Sequence, residues 1–442
     1  MEGYKVSRYT TVHKTRYGLI LFNTLSCGLL KITDDNVEVP SAEIVPLLAA
    51  RGPAHAKALV EHGFLVKNYV NELALVKSRL YRSRYGMATA TITINTGLAC
   101  NCHCVYCYEG HEHSASSVLT HEKASDIVDF LKKEFSPTTK LDLTFVGGEP
   151  LICLEHIKRI HSELKGFFDH MSLSISTNGI LINEDVAMFL KEAQVKSVQI
   201  SIDGVKSYHD KKRAYVAGGG TYDKVIASVK VLQEADIPVL VRTHVDQDFM
   251  DNVNLQQWIE AIKTTFDFTK PIWFYITPIQ TPGNGVKIAD GKFVDHMVSI
   301  YEAFMEKEIP LNFDHSFMPS GLCFVAYENS FSITCNGEIY KCWNDLTADN
   351  FNDRNFGNIY DGINREKVIA YTDSIDALES AECRACVYLP VCSGGCPEYI
   401  VSGSSKCTHL KHYSEKIIPL FMQYKGHLSE TTKSKHMGDQ CE

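Results

Sequence analysis

Cys100-Asn-Cys102-His-Cys104-Val-Tyr106-Cys107 is the stretch on which the reading of this chain turns. It follows a short run, Ala90-Thr-Ile-Thr-Ile94, whose β-branched character reads as a strand. Taken as Cys100-x3-Cys104-x2-Cys107, the stretch puts three thiolates in one tight loop. Three is one short of the four that usually hold an iron–sulfur cluster. Cys102 offers a competing triple with Cys104 and Cys107. Clustered cysteines also serve zinc sites and disulfide frameworks. The loop alone therefore leaves its metal open, and the rest of the chain has to decide.

Composition narrows the choice. The chain has 442 residues and a mass of 49.6 kDa, which suits two or three domains. With 45% hydrophobic and 22% charged residues it has an ordinary globular balance. A net charge of −9 argues against a general nucleic-acid binder. The N-terminal residues lack an apolar core of signal-peptide length, and no apolar run is long enough to span a bilayer. The expected partners thus include neither nucleic acid nor membrane, and the expected address is the cytoplasm. There, fifteen cysteines point to metal or redox chemistry rather than to disulfides.

Residues 1–75 read as a separate winged-helix-like domain. Arg8–His13 and Gly18–Phe22 form a hairpin, and Leu29–Ile32 a third strand. A helix begins at Pro40, with Ser41 as its cap, and a second runs from Gly52 to Gly63 before a strand at Phe64–Val66. Eight Lys/Arg against seven Asp/Glu give this segment no electrostatic footprint for DNA. It is either a reader that adds an extended peptide to a sheet edge or a cap on the next domain. Residues 76–89 read as a linker helix whose Arg79, Arg82 and Arg84 face solvent.

From 90 to 310 the pattern alternates strand and helix. Strands are expected at 90–96, 140–146, 171–177, 197–202, 238–245 and 271–277, with helices between them such as 120–135. The fold class is therefore α/β, a partial (β/α)6 TIM barrel, with its site at the C-terminal strand ends. Short polar motifs fall at those ends: Gly147-Gly148-Glu149-Pro150, Ser176-Thr-Asn178-Gly179 and Ser201-Ile-Asp203-Gly204, the last followed by Arg213. Each also has a bland reading, as a βα turn or a solvated arginine. Gly218-Gly-Gly-Thr221 lacks the lysine of a phosphate loop.

Residues 311–427 are cysteine-dense. Cys323 is followed by Gly337-x4-Cys342, then Cys383-x2-Cys386-x5-Cys392-x3-Cys396 and Cys407. Cys383 to Cys396 alone also fits a zinc ribbon. Asn336-Gly337 reads as a two-residue hairpin turn that pairs Cys335 with Glu338. Cys342 then lies roughly 13 Å further along the partner strand, so Cys335 reads as a small buried apolar residue. A last helix covers about 412–425, residues 428–442 form a polar tail, and Cys27, Cys153 and Cys441 have no assigned role.

The spacing Cys100-x3-Cys104-x2-Cys107, the aromatic Tyr106, and Gly147-Gly-Glu-Pro150 about 40 residues on resemble the radical S-adenosylmethionine (SAM) enzymes. The seven-cysteine series resembles the SPASM extension of peptide and protein maturases in that family. Residues 1–75 look like the recognition domain that precedes many maturases of ribosomally made peptides. The resemblance implies that Cys100, Cys104 and Cys107 hold a [4Fe–4S] cluster whose open iron binds SAM. It places Gly147, Gly148, Glu149 and Pro150 at the methionine amino group, and Ser176, Asn178 and Ser201 near the rest of SAM. It sets Arg213 on the SAM carboxylate and Tyr106 against the adenine. Two auxiliary [4Fe–4S] clusters follow, one on Cys383, Cys386, Cys392 and Cys407, the other on Cys323, Cys342 and Cys396. The implied activity is cross-linking of a precursor peptide, with a Cys-to-carbon thioether first. Its alternatives are a carbon–carbon or carbon–oxygen link, or formylglycine formation in a sulfatase. The implied partners are the peptide, its leader on the N-terminal domain, and a reductant such as flavodoxin or ferredoxin. A zinc-dependent DNA-binding regulator is the alternative outside enzymes.

Overall fold

The computed structural model describes residues 2–15, 18–32, 40–110, 118–279, 291–313, 321–347, 354–401, 403 and 407–431. The N-terminal segment carries β1 (Tyr4–Val6), β2 (Thr10–Thr15), β3 (Gly18–Asn23), β4 (Leu29–Ile32), α1 (Ser41–Ala50), α2 (Pro53–Glu61), β5 (Leu65–Lys67) and α3 (Glu72–Arg84). Strands β2, β3 and β4 make an antiparallel meander, while β1 and β5 pair separately. Alternation on β3 feeds two cores. Leu21 packs with Ile44, Val45, Leu48 and Leu59 of α1 and α2. Ile20 and Phe22 turn the other way into the main core, where Phe22 meets Phe421 of the terminal helix Ser414–Thr431 at 6.1 Å. The meander is thus sandwiched rather than freestanding.

Two local expectations need correcting here. Pro40, not Ser41, takes the cap position of α1. The helix read as a linker starts earlier, at Glu72, where the Asn71 side chain accepts the Ala74 N–H at 3.1 Å. Its charges also divide. Arg79 and Arg82 stay at the surface. Arg84 follows Val76 and Leu80 at four-residue steps, on the buried face. Its guanidinium lies 2.8 Å from Asp376, both side chains being almost fully enclosed. With Val76, Leu80 and Leu378 around it, this pair pins α3 to the cysteine-rich segment.

The central segment carries β6 (Thr89–Asn95), β7 (Cys102–Cys104), α4 (His121–Glu134), β8 (Lys140–Val146), α5 (Leu154–Lys165), β9 (Met171–Thr177), α6 (Glu184–Glu192), β10 (Ser197–Ser201), α7 (Lys206–Lys212), β11 (Arg213–Tyr215), α8 (Tyr222–Glu234), β12 (Val239–Val245), α9 (Gln247–Asn252), α10 (Leu255–Thr265), β13 (Ile272–Pro278) and α11 (Gly291–Glu306). Six of these strands form one parallel sheet in the order β13-β12-β10-β9-β8-β6. They stand where alternation placed them, β8 and β9 to the residue. The partial barrel is extended by β14 (Ser330–Ile333), parallel to β6, and β15 (Ile339–Tyr340). Leu141, Leu143 and Phe145 of β8 are buried, as is the Ala124, Ile127, Val128 and Leu131 face of α4. The opposite face of the strands is polar and half-exposed, with Ser172, Ser174 and Ser176 in a row on β9.

The turn between β14 and β15 differs from expectation. Ser332 pairs with Tyr340 and Ile333 with Ile339, so Thr334, not Cys335, faces Glu338. Gly337, at φ +89°, closes a three-residue loop by donating to the Thr334 carbonyl at 2.9 Å. The Thr334 hydroxyl also accepts the amides of Asn336 and Glu338, which favours the wider turn. Cys335 sits at the corner and is buried in the main core, as a small apolar residue would be. Among the described residues, no helix is long and apolar enough to cross a membrane.

Candidate active site

The cysteine loop leaves the end of β6 and is strapped at both sides. Strand β7 pairs antiparallel with β11, matching Cys104 to Arg213 and Cys102 to Tyr215. On its other side the loop lies against Gly147 and Gly148. Gly148 N–H donates to Gly97 O and Glu149 N–H to Ala99 O, each at 2.9 Å. A Cβ on Gly148 would stand 2.5 Å from the Leu98 carbonyl oxygen, so only glycine fits there. Cys100, Cys104 and Cys107 are half-buried and free of disulfides.

Cys102 is buried instead, its thiol between Cys100 and Cys104. That contact, with the Arg213 charge, draws the Cys104 thiol down to about 6, and burial pushes Cys107 up to about 11. Three free thiols converging on one open loop fit an iron–sulfur cluster as the donor set. Among the described residues, no three of Cys, His, Asp or Glu converge on a single-ion site.

Glu149 is held within the protein. Its carboxylate is buried and accepts from Leu151 N at 3.0 Å, Thr177 Oγ1 at 2.7 Å and Asn178 N at 2.8 Å. The side chain ties the end of β8 to the end of β9. Pro150 is buried in the turn that follows. Asn178 reaches into the cysteine loop, donating to Asn101 Oδ1 at 2.6 Å and approaching Cys100 Sγ at 3.7 Å. Ser176 accepts from Gln199 at 2.9 Å on the half-open face, and Ser201 stands half-buried at the end of β10.

Arg213 is not a solvated arginine. It is 7% exposed and donates from Nη1 to the Tyr106 hydroxyl at 2.8 Å. Tyr106 also bonds the Asp203 carboxylate, and its ring lies 5.0 Å from that of His244. Asp203 is enclosed and accepts the His244 N–H at 2.9 Å, while its own N–H meets His209 Nδ1 at 3.1 Å. Burial alone would raise its carboxyl, but His244, Arg213 and His209 hold it well below the usual range. Sequence reasoning placed Tyr106 and Arg213 but missed His244. The signal was there: alternation puts Arg242 and His244 together on one face of β12.

The cysteine-rich segment gathers its seven thiols in two sets. Cys383, Cys386, Cys392 and Cys407 line one pocket with about 400 Å³ of open space, beside Thr408 and Lys411. Cys396 does not line it. Its sulfur instead is felt by the other two: Cys323 responds to Cys396, and Cys342 to both. The Cys342 N–H donates to Asp345 at 2.9 Å, and Arg354 joins Asp345 to Glu398, two residues beyond Cys396. Tyr108 lies within electrostatic range of both Cys107 and Cys342.

Comparison with known proteins agrees with this geometry. Residues 94–265 match the family model of the Radical SAM superfamily. The chain is 25% identical over 285 residues to a cysteine-type anaerobic sulfatase-maturating enzyme of Clostridium novyi, a match covering 57% of this chain and 72% of that one. Its fold resembles native anSMEcpe with bound AdoMet and Kp18Cys peptide, with a TM-score of 0.58 and 20% identity over 77% of this chain and 99% of that one. It also resembles Streptococcus suis SuiB bound to precursor peptide SuiA, with a TM-score of 0.53 and 15% identity over 92% and 98%. The strapped cysteine loop and the barrel strands around it thus lie in a radical SAM domain, residues 94–265, and the protein is an enzyme.

Proposed function

We propose that the protein is a maturase of a ribosomally made precursor peptide that installs a Cys-to-carbon thioether. It would carry three [4Fe–4S] clusters, on Cys100, Cys104 and Cys107; on Cys383, Cys386, Cys392 and Cys407; and on Cys323, Cys342 and Cys396. The observation that carries this reading is the sorting of the C-terminal cysteines into a set of four around one pocket and a set of three apart from it. With SAM, the first cluster supplies a 5′-deoxyadenosyl radical for hydrogen abstraction. Around it, Arg213 has the charge for the SAM carboxylate, the Gly147–Gly148 backbone lies open to the amino group, and Tyr106 and Asn178 bound the pocket.

A peptide substrate is supported by the two similar folds whose structures contain bound peptides. The set of three supports the thioether. Cys335 lies in the main core, and both carboxylate oxygens of Asp345 are already engaged. A fourth, soft ligand can therefore come from outside, and a substrate cysteine is the soft ligand a peptide offers. Residues 1–75 would bind the leader along a sheet edge; β2 and β4 are the outer strands of the meander.

Anaerobic reconstitution tests the cluster assignment. About twelve irons per chain are expected, four per cluster; a reproducible count near four, or zinc in their place, removes the auxiliary sets. Mass analysis of peptide products tests the bond. If cysteine-free peptide is cross-linked equally well, the link is carbon–carbon or carbon–oxygen. The sulfatase-maturating relative motivates a second reading, formylglycine formation, which conversion of a sulfatase peptide would identify.

A further inference from the structure

The inward face of the barrel strands holds a half-buried cation, Arg242. Arg242 stands on β12 beside Ser201 of β10 and Tyr275 of β13. Its guanidinium lies 5.9 Å from the Tyr275 ring, and its Nε is buried without a hydrogen-bond partner. Among the described residues, no carboxylate pairs with it. The neighbouring cations differ: Lys212 is matched by Asp246 and Asp248, and Arg213 by the Tyr106–Asp203 pair. The nearby Glu109 carboxyl bonds Asn95 and Tyr108 instead.

Position gives this cation its meaning. Its charge is felt at His244, beside Tyr106, and at Tyr108. Tyr108 in turn lies within range of Cys107 and Cys342. Arg242 is therefore within electrostatic range of residues beside the cysteine loop, on the polar inward face of the strands next to the end of β10. A half-buried guanidinium with an unsatisfied N–H is costly to keep, and a carboxylate matches its planar fork.

We propose that Arg242 is a carboxylate-binding subsite, and that its ligand is an acidic side chain of the substrate beside the carbon attacked. The substrate half of this rests on the peptide-maturase reading. The same chemistry could come from the carboxylate of SAM, but Arg213, paired with Cys104 on the strap, stands closer to the cluster loop.

The test uses reconstituted holoenzyme with SAM bound and two small probes, N-acetylglutamate methylamide and its glutamine counterpart. Wild type should bind the acid about tenfold more tightly than the amide. Arg242→Gln should lose that preference and Arg242→Lys keep part of it; full iron content in both shows that they are folded. Equal binding of acid and amide by wild type overturns the subsite, and so does a preference that survives Arg242→Gln. In the second arm, SAM and decarboxylated SAM are titrated into the same proteins. A loss of affinity for SAM alone in Arg242→Gln assigns the carboxylate to SAM and overturns the substrate assignment. If wild type prefers the acid yet modifies no peptide, the maturase reading fails while the subsite stands.

Discussion

The mouth of the barrel and the flanks that close it differ in how their buried titratable groups are grouped. At the mouth, charges are buried together. Asp203, Arg213, His244 and Tyr106 contact one another, and the Asp203 carboxyl is held ionised despite its enclosure. On the flanks, single groups outside the Arg84–Asp376 pair and the Arg354 cluster are driven toward neutrality by burial. His13 in the N-terminal meander falls to about 4 and Lys341, at the end of β15, to about 7, while Cys323 and Cys392 rise to about 11. The mouth thus keeps one network of buried charges, while isolated groups such as His13 on the flanks are neutral. The mouth has neutralised groups as well: burial lowers His244 and His209 to about 4 and raises Cys107 to about 11 and Glu109 to about 7.

The largest expected effect separates the two regions outright. Replacing Cys100, Cys104 and Cys107 together by alanine should abolish SAM cleavage and remove about four irons of twelve, one cluster's share. The C-terminal sets should keep theirs. Loss of all iron would mean that the flanks cannot assemble without the mouth. Cys102→Ala should spare both iron and cleavage, since its thiol is buried beneath the loop.

Next comes the charged hub. Asp203→Asn removes a buried anion that reaches the Arg213 guanidinium through the Tyr106 hydroxyl, at a cost of about 1–3 kcal/mol. The sign with pH follows from the depressed carboxyl. Its contribution is present above the unfolded value near about 4 and is lost as pH falls through the lower folded value. Denaturant melts should therefore show wild type losing this stability at acid pH, with the variant lacking that loss. Parallel acid limbs would break the contrast between the two interiors.

Much of this molecule could be read locally. Strands such as Lys140–Val146 and Met171–Thr177 announce themselves by period-two alternation, and the cysteine spacings by their arithmetic. What escaped depends on contacts far apart in sequence. No local pattern in Ser330–Ile333 says that it will pair with Thr91–Ile94 and widen the barrel sheet. Arg84 was misread because a positive charge suggests solvent, although its four-residue steps from Val76 and Leu80 marked the buried face. Which carboxylate answers Arg213 could not be read from spacing, because Asp203 reaches it only once the barrel has closed.

One charged cluster on the flanks sharpens the comparison. Arg354 joins Asp345 to Glu398 and so links the Cys342 turn to the segment after Cys396. Arg354→Ala should cost about 2–3 kcal/mol, less than a fully enclosed pair because Glu398 is partly exposed. Iron bound by the set of three should weaken selectively, and Arg354→Lys should restore part of it. Equal loss from the pocket of four would mean that the cluster supports the whole segment rather than one set.

The smallest effect tests the neutral interior at its simplest point. His13 lies on β2, is 6% exposed, and has the Thr11 hydroxyl at 2.9 Å as its polar partner. Burial lowers it from 6.5 to about 4. The unfolded chain therefore takes up a proton below about 6.5, which the folded meander refuses until near 4. Stability should fall by about 1 kcal/mol at pH 6 and about 2 kcal/mol at pH 5. His13→Gln carries no such proton and should flatten this part of the profile. Amide hydrogen exchange along Gly18–Asn23, the partner strand of β2, reads the local opening. If wild type and variant lose protection in parallel between pH 6.5 and 5, His13 is not desolvated in solution, and the flank is wetter than its packing implies.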